Sequence, residues 1–477
     1  MGSLDFLKPI THILPEVKSP ERPPGVKERI FWTAIALIAF FVMYNVNAFG
    51  VKQTAAASDF LQVVTASRMG SLITTGIGPI VLASIFLQLF AGAKIINVDL
   101  KDPEQRATFH GVQKLLGITL CFFEAIIYVV LFSVVPVDMA LFGSVAVTKA
   151  LVVLQIALGS IILLYLDEIV SKYGLGSGIS LFIAAGVSIS VVGGFMSLMI
   201  TPQTGVIPLL QSGGADALPK ALIALIPLVS TIIVFFVVVY AEGLKVEIPL
   251  AFERARGLGG RFPIKLLYVS NIPVILASAL LLNLQFFAQN IPPTNAASPQ
   301  WYSYIASVTN QKYLMDGLLY FLTPIYIQHG ASFFDVLWAN MTNVTPVFGI
   351  PGWVHAITYI IFFTTICVIF GQFWVETAGM GSKEVAEQLD SSGLQIPGYR
   401  RDPRIVEKVL ERYIPVITIL GSAFVGLLAA LADFTGALGT GTGILLSVGI
   451  LYRLYEDLEK YQVFSSYPGI SAMLGED

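Results

Sequence analysis

Charge is what this sequence has least of. Only 12% of its 477 residues are Asp, Glu, Lys or Arg, against about a quarter in an ordinary soluble domain. Apolar residues make up 55%, so the chain reads as a protein that crosses a membrane many times. The formal net charge of -3 gives no signal for nucleic acid. Two cysteines, Cys121 and Cys367, stand inside apolar runs. They read as small buried hydrophobes and not as a disulfide framework. The four histidines are scattered without ligand spacing, so no metal and no cofactor is expected. No phosphate loop of the form G-x-x-x-x-G-K-[ST] occurs. A cleavable leader is not expected either, because the first apolar run starts near residue 30, after a charged, Pro-rich lead.

Apolar runs are abundant instead. A helix needs roughly 20 apolar residues to cross the hydrocarbon layer. Ten segments qualify: 30–50, 76–93, 113–134, 145–166, 178–199, 220–241, 264–286, 353–375, 413–432 and 436–455. The run 313–327 is short and holds Asp316 and Pro324, so it is expected in a loop. With the N-terminus in the cytoplasm, 23 of the 28 lysines and arginines fall in the six cytoplasmic segments or at the span ends that adjoin them, as the positive-inside bias requires. Both termini are then cytoplasmic.

The loops are uneven. The external loop 287–352 is long and rich in Asn, Pro and Tyr, with acceptor triplets for glycosylation at Asn340 and Asn343. Two cytoplasmic loops, 242–263 and 376–412, are basic. They read as a solvated face or as a docking surface for an anionic partner such as ribosomal RNA. Ten spans divide into two sets of five with opposite orientation, as an inverted repeat requires, although no obvious repeat of sequence is visible.

Deep ionisable groups, the mark of pumps and proton-coupled carriers, are nearly missing. Only Glu124 sits near the middle of a span; Asp167, Glu168, Glu242, Glu376 and Asp433 lie at span ends. Glu124 reads as a packed neutral acid or as a helix–helix latch with Asn283. The glycine-rich stretch 436–443 resembles a nucleotide-binding turn only superficially, because no strand precedes it. The "GLGSG" at 174–178 has no histidine in a plausible partner span, so an intramembrane hydrolase is not expected.

Two span beginnings share a composition. In 76–81 and 176–183, glycines precede branched residues at i and i+4: Ile77 with Val81, Ile179 with Ile183. That spacing places each pair on one helix face. Ordinary core packing and a ring of apolar side chains around a dewetting constriction both fit. Just before the first of these, residues 58–69 carry Asp59, Phe60, Leu61, Val63, Val64 and Arg68. They read as a short amphipathic helix, joined to the second span through the breakers Gly76, Gly78 and Pro79.

These stretches resemble a known family. "GIGPIV", "QLFAGAKII", "GVQKLLG", "YLDEIVSKYGLGSGISLFIAAG", "PIKLLYVSNIPVIL", "FWVETAG" and "GALGTGTGILL" are similar to the large subunit of the Sec protein-conducting channel, the SecY/Sec61-alpha family, in its archaeal and eukaryotic branch. The resemblance covers nearly the whole chain. It implies an all-α polytopic membrane protein, with ten transmembrane helices in two inverted five-helix halves around a central pore. The halves are expected at 30–199 and 220–455, joined by an external linker 200–219, with cytoplasmic segments 1–29 and 456–477.

The resemblance also assigns residues. It implies a sealing ring of Ile77, Val81, Ile179, Ile183, Ile275 and Leu446, and a plug formed by the helix at 58–69, displaceable about a Gly/Pro hinge. It implies a lateral gate with Leu82, Glu124 and Asn283, where Leu82 departs from the hydroxyl residue common at that position. Arg256, Arg261, Arg400 and Arg401 would dock a ribosome. The expected partners are a small single-span gamma (SecE-like) subunit, a beta subunit, the ribosome, signal sequences with their nascent polypeptides, and membrane lipid. No bond is made or broken in such a channel, so no enzyme activity is expected. Location in an archaeal plasma membrane is favoured, with the endoplasmic reticulum the eukaryotic equivalent. A secondary transporter of a small solute and a membrane-embedded lipid-handling factor stay open as rival readings; broken helices and inverted halves suit the transporter as well.

Overall fold

The computed structural model describes residues 14–22, 24–51, 66–92, 95–96, 102–131, 135, 137, 144–202, 205–211, 217–252, 259–269, 272–289, 291–292, 300–308, 314–324, 338, 341–391, 394–395 and 403–466. The protein is a polytopic α-helical membrane protein. Six of its helices are long and apolar enough to cross a membrane, and two shorter apolar ones accompany them among the described residues. The chain forms two compact units, one from Met1–Ile189 with Ile450–Asp477, the other from Ser190–Gly449.

The first unit contains α1 (Val26–Asn45), α2 (Gly78–Gly92), α3 (Pro103–Ile126), α4 (Val145–Tyr173) and the beginning of α5 (Gly178–Ile200). A π-helical turn, Ile127–Leu131, continues α3. Asp102 caps α3 by accepting from Glu104 N at 3.1 Å, and Pro103 occupies the first turn, where its missing N–H costs nothing. Helix α1 packs on α4 and α5: Phe40 stacks on Phe182 at 5.2 Å, and Thr33 Oγ1 accepts from Leu175 N at 3.0 Å.

Hydrogen bonds hold the segment that leads into the second span. Residues 71–77 are buried apart from Leu72, which is half-buried. Ile73 N donates to Ser71 Oγ at 3.3 Å, Thr74 Oγ1 donates to Ser71 O at 2.6 Å, and the Thr75 and Ser160 hydroxyls share a hydrogen bond. Upstream, Ala48 N donates to Gly70 O at 2.8 Å and Leu72 N to Val46 O at 3.0 Å. Gln155 of α4 holds both backbone groups of Phe49, accepting from its N–H at 2.9 Å and donating to its carbonyl at 3.0 Å. Thr75, just before the Gly/Pro cluster, is thus tied to α4, and the two chain ends flanking residues 52–65 are stapled to each other.

The second unit contains the remainder of α5, α6 (Val206–Gln211), α7 (Ala217–Ala224), α8 (Ile226–Gly243), α9 (Ile272–Gln289), α10 (Leu318–Leu322), α11 (Trp353–Thr377), α12 (Ser382–Ser391), α13 (Pro403–Phe434) and the start of α14 (Gly441–Ser466). Its core joins α8, α9, α11, α13 and α14 around Val238, Leu281, Tyr359, Phe363, Ala429 and Leu445. Strands β1 (Lys245–Phe252), β2 (Gly259–Lys265) and β5 (Leu394–Gln395) form an antiparallel sheet of order β2-β1-β5, in register from Lys245↔Lys265 to Ala251↔Gly259. The basic loops 242–263 and 376–412 are thus built together as one surface element.

The span expected at 264–286 begins later, at Ile272. Ile264 and Val269 are apolar because they pack against Val385, Ala386 and Leu389 of α12, not because they face lipid. Pro273 then stands in the first turn of α9, where its missing N–H costs nothing. Beyond α9 lies a small element of β3 (Ser307–Val308), β4 (Leu314–Asp316) and α10, which spans nothing. Asp316 is fully buried there. Its carboxylate accepts from Gly317 N at 2.7 Å, Val347 N at 2.5 Å and Phe348 N at 2.9 Å.

Candidate functional site

Four helix beginnings carry the expected ring residues, and they form two matching pairs. Helix α2 opens Pro79-Ile80-Val81-Leu82-Ala83-Ser84, and α9 opens Pro273-Val274-Ile275-Leu276-Ala277-Ser278. In each, proline occupies the first turn, where its fixed φ favours helix, and the ring residue lies two positions on. Ala83 and Ala277 are both buried.

Helices α5 and α14 match as well. Leu175-Gly176-Ser177-Gly178-Ile179 corresponds to Leu438-Gly439-Thr440-Gly441-Thr442. Both leucines are buried, and Gly176 and Gly439 both take positive φ, +67° and +74°. Gly178 and Gly441 each start their helix where the preceding helix leaves no room. A Cβ on Gly178 would lie 2.5 Å from Asp167 Cα; one on Gly441 would lie 2.2 Å from Ala432 Cβ and 2.6 Å from Asp433 N. The aspartates at these contacts bond the new helix. Asp167 Oδ1 accepts from Ile179 N at 2.8 Å. Asp433 Oδ1 accepts from Gly441 N at 2.8 Å and Thr442 N at 3.4 Å, while Oδ2 accepts from Tyr359 OH at 3.0 Å. A carboxylate therefore occupies the helix start in "GALGTGTG", where a bound phosphate would otherwise sit.

The chain therefore contains a short sequence repeat. Its signal is short and sits in unlike surroundings: P-[IV]-[VI]-L-A-S in the first turns of one pair of helices, L-G-[ST]-G leading into the other.

Of the ring residues, Ile77, Val81, Ile179 and Ile183 belong to the first unit, Ile275 and Leu446 to the second. Ile77, Ile183 and Leu446 are buried; Val81, Ile179 and Ile275 are half-buried. Val81 N donates to Ile77 O at 3.0 Å, which makes that pair one helical turn. Glu124 is half-buried on α3, with Cys121 and Tyr128 one turn away on either side. Leu82 is half-buried on α2. The side chain of Asn283, on α9, lies outside those described. A polar tie between the second and third spans escapes the sequence reading: Gln113 Nε2 donates to Ser84 Oγ at 2.6 Å. Of the plug residues, Asp59, Phe60, Leu61, Val63 and Val64 lie outside the described residues. Arg68 is described, and its Nη1 donates to Asn45 Oδ1 at 3.2 Å. Arg261 is paired with Pro249 in the β1–β2 register. Arg256, Arg400 and Arg401 lie outside the described residues.

The protein-family model for SecY matches residues 71–455, which include both pairs of helix beginnings. The chain belongs to the SecY family. The protein translocase subunit SecY of Methanococcus vannielii is 43% identical to this SecY-family chain, covering 98% of it and 99% of the relative. The protein of the same name from Pyrococcus furiosus is 40% identical over the full length of both. Among solved structures, one described as a protein conducting channel is 41% identical, with a TM-score of 0.76 over 98% of this chain and 99% of that one. Sec61 in a canine ribosome-channel complex from the endoplasmic reticulum is 40% identical, with a TM-score of 0.74 and the same coverage. These relatives are translocase subunits and protein-conducting channels, and the solute-transporter reading finds no support among them.

Proposed function

We propose that this protein is the pore-forming subunit of a Sec-type channel. It passes unfolded secretory polypeptides across the membrane and releases hydrophobic segments sideways into lipid. The observation that carries this reading is full-length similarity to a protein conducting channel, at 41% identity and a TM-score of 0.76. The repeated helix beginnings support it, since they bear the ring residues Val81 and Ile275 in one pair and Ile183 and Leu446 in the other.

The mechanism follows from the side chains. Ile77, Val81, Ile179, Ile183, Ile275 and Leu446 line a constriction that offers a passing chain no hydrogen bonds, so polar segments slide without sticking. With nothing in it, an apolar constriction seals against ions by dewetting. A segment of about 20 apolar residues leaves instead through the lateral gate, between the helices bearing Leu82, Glu124 and Asn283. The gain is about 0.3–0.6 kcal/mol for each Leu, Ile, Phe or Val near the bilayer centre. The plug at 58–69 closes the external side on its stapled neck. No bond is made or broken.

The ribosome docks on the surface built from the two basic loops, through Arg256, Arg261, Arg400 and Arg401. A gamma subunit of SecE type and a beta subunit complete the assembly. Both termini face the cytoplasm, and the membrane is the plasma membrane, in line with the archaeal relatives. The test is reconstitution of the purified complex with a ribosome-bound secretory chain, read by protease protection. Protected chains support the reading; docked ribosomes without protected chains contradict it.

A further inference from the structure

The repeat has a second part that the sealing ring alone does not explain. In both units an aspartate in the last two turns of one helix reaches the first turn of the next, and the ring residue follows the helix start at the same distance. Ile183 lies five residues after Gly178, and Leu446 five residues after Gly441. At 1.5 Å per residue, each ring side chain stands about 7.5 Å along its helix from the contact.

We propose that Asp167 and Asp433 are paired positioning residues, which fix the depth of Ile183 and Leu446 by locking each helix start against the helix before it. This rests on the ring reading above. Two independent links act at each site. One is steric: the glycines bring the backbones so close that a single methyl group would overlap the neighbouring helix. The other is polar: a carboxylate oxygen takes a helix-start N–H at 2.8 Å in both units, a charge-assisted bond favoured at the positive end of a helix.

Ordinary capping does not account for Asp433. Helix α14 already has a local cap, because Thr440 Oγ1 accepts from Gly443 N at 3.1 Å. The Asp433 bonds reach back eight residues to the end of α13, and Tyr359 of α11 braces the same carboxylate at 3.0 Å. The bond set joins three helices at one point. It is therefore a register device as well as a cap.

The test measures ion leak through the purified complex in planar bilayers, with no polypeptide engaged. Asp167→Ala and Asp433→Ala are compared with Asp167→Asn and Asp433→Asn, which keep one acceptor oxygen. Ile183→Ser and Leu446→Ser report on the ring itself. The expected result is a several-fold rise in resting leak for both alanine variants, near wild-type sealing for the asparagine variants, and unchanged monodispersity for all four. If the serine variants leak while the alanine variants fold and seal like wild type, the positioning proposal is overturned. If the serine variants seal, the ring reading fails on its own account. Should the alanine variants not accumulate, Asp167→Glu and Asp433→Glu carry the test, since they keep the acceptor but move it by one methylene. A raised leak then supports depth setting, and wild-type sealing overturns it.

Discussion

The carbonyl oxygen of Leu72 lies where Gly159 has no side chain: a Cβ there would come within 1.9 Å of it. This contact seats residues 71–77 on α4, and the bond between the Thr75 and Ser160 hydroxyls sits one residue further along α4. The entry to the second span is thus a fixed point of the first unit.

The first expected outcome concerns that seat. Gly159→Ala forces the α4 backbone away from Leu72 and costs about 1–3 kcal/mol, the usual range for overpacking. Gly193→Ala, where nothing lies within 4 Å of the added methyl group, is the control and is neutral or slightly stabilising. Thermal unfolding of the purified complex in detergent separates the two.

Gln155 clasps both backbone groups of Phe49 at 2.9 and 3.0 Å. Gln155→Ala removes two hydrogen bonds from the neck of the plug segment and weakens it by about 1–3 kcal/mol. Hydrogen exchange at residues 46–51 should speed up, with α1 unchanged. Protection equal to wild type would show that the clasp does not hold the neck.

Residues 15–18 are strapped across the middle of α3 and the end of α4. Glu168 accepts from Val17 N at 3.1 Å and pairs with Lys114 at 2.7 Å and Lys172 at 3.0 Å. Lys114 also donates to Pro15 O at 2.6 Å, and Tyr173 OH to Lys18 O at 2.8 Å. Partly exposed pairs are worth about 1 kcal/mol or less each, so Glu168→Ala frees the strap without unfolding the unit. Limited proteolysis should cut residues 14–22 faster in the variant. High salt should speed cleavage of the wild type toward the variant's rate.

Asp316 accepts three backbone N–H groups while fully buried. Asp316→Asn turns one acceptor oxygen into a donor facing another donor, at a cost of about 1–3 kcal/mol. The turn at 345–350 should lose hydrogen-exchange protection, while α9 and α11 keep theirs. An unchanged turn would mean that Thr345, which accepts from Ile350 N at 3.0 Å, holds it alone.

Much of this fold is legible in the sequence because a bilayer imposes long apolar runs whatever surrounds them. Each of the ten segments overlaps a helix. Boundaries are less legible, since an apolar residue does not declare what covers it: Ile264 and Val269 pack on α12 and not on lipid. The bonds that fix the site join residues far apart in the chain, Gln155 with Phe49 and Asp316 with Val347, and no local pattern announces them. Gln113 with Ser84 is equally silent. The aspartates at 167 and 433 are visible only as acids at span ends until the helix starts they hold are in view.

The central claim is that polypeptides pass the apolar ring. The most direct measurement places a photo-crosslinking residue at Ile183 in the purified membrane complex and adds ribosomes stalled on secretory chains of increasing length. Crosslinks that move along the nascent chain as it lengthens, and that disappear with Arg400→Glu, are the result expected of a channel fed through the basic loops. Docked ribosomes whose chains never reach Ile183 would contradict the account and reduce the ring to core packing.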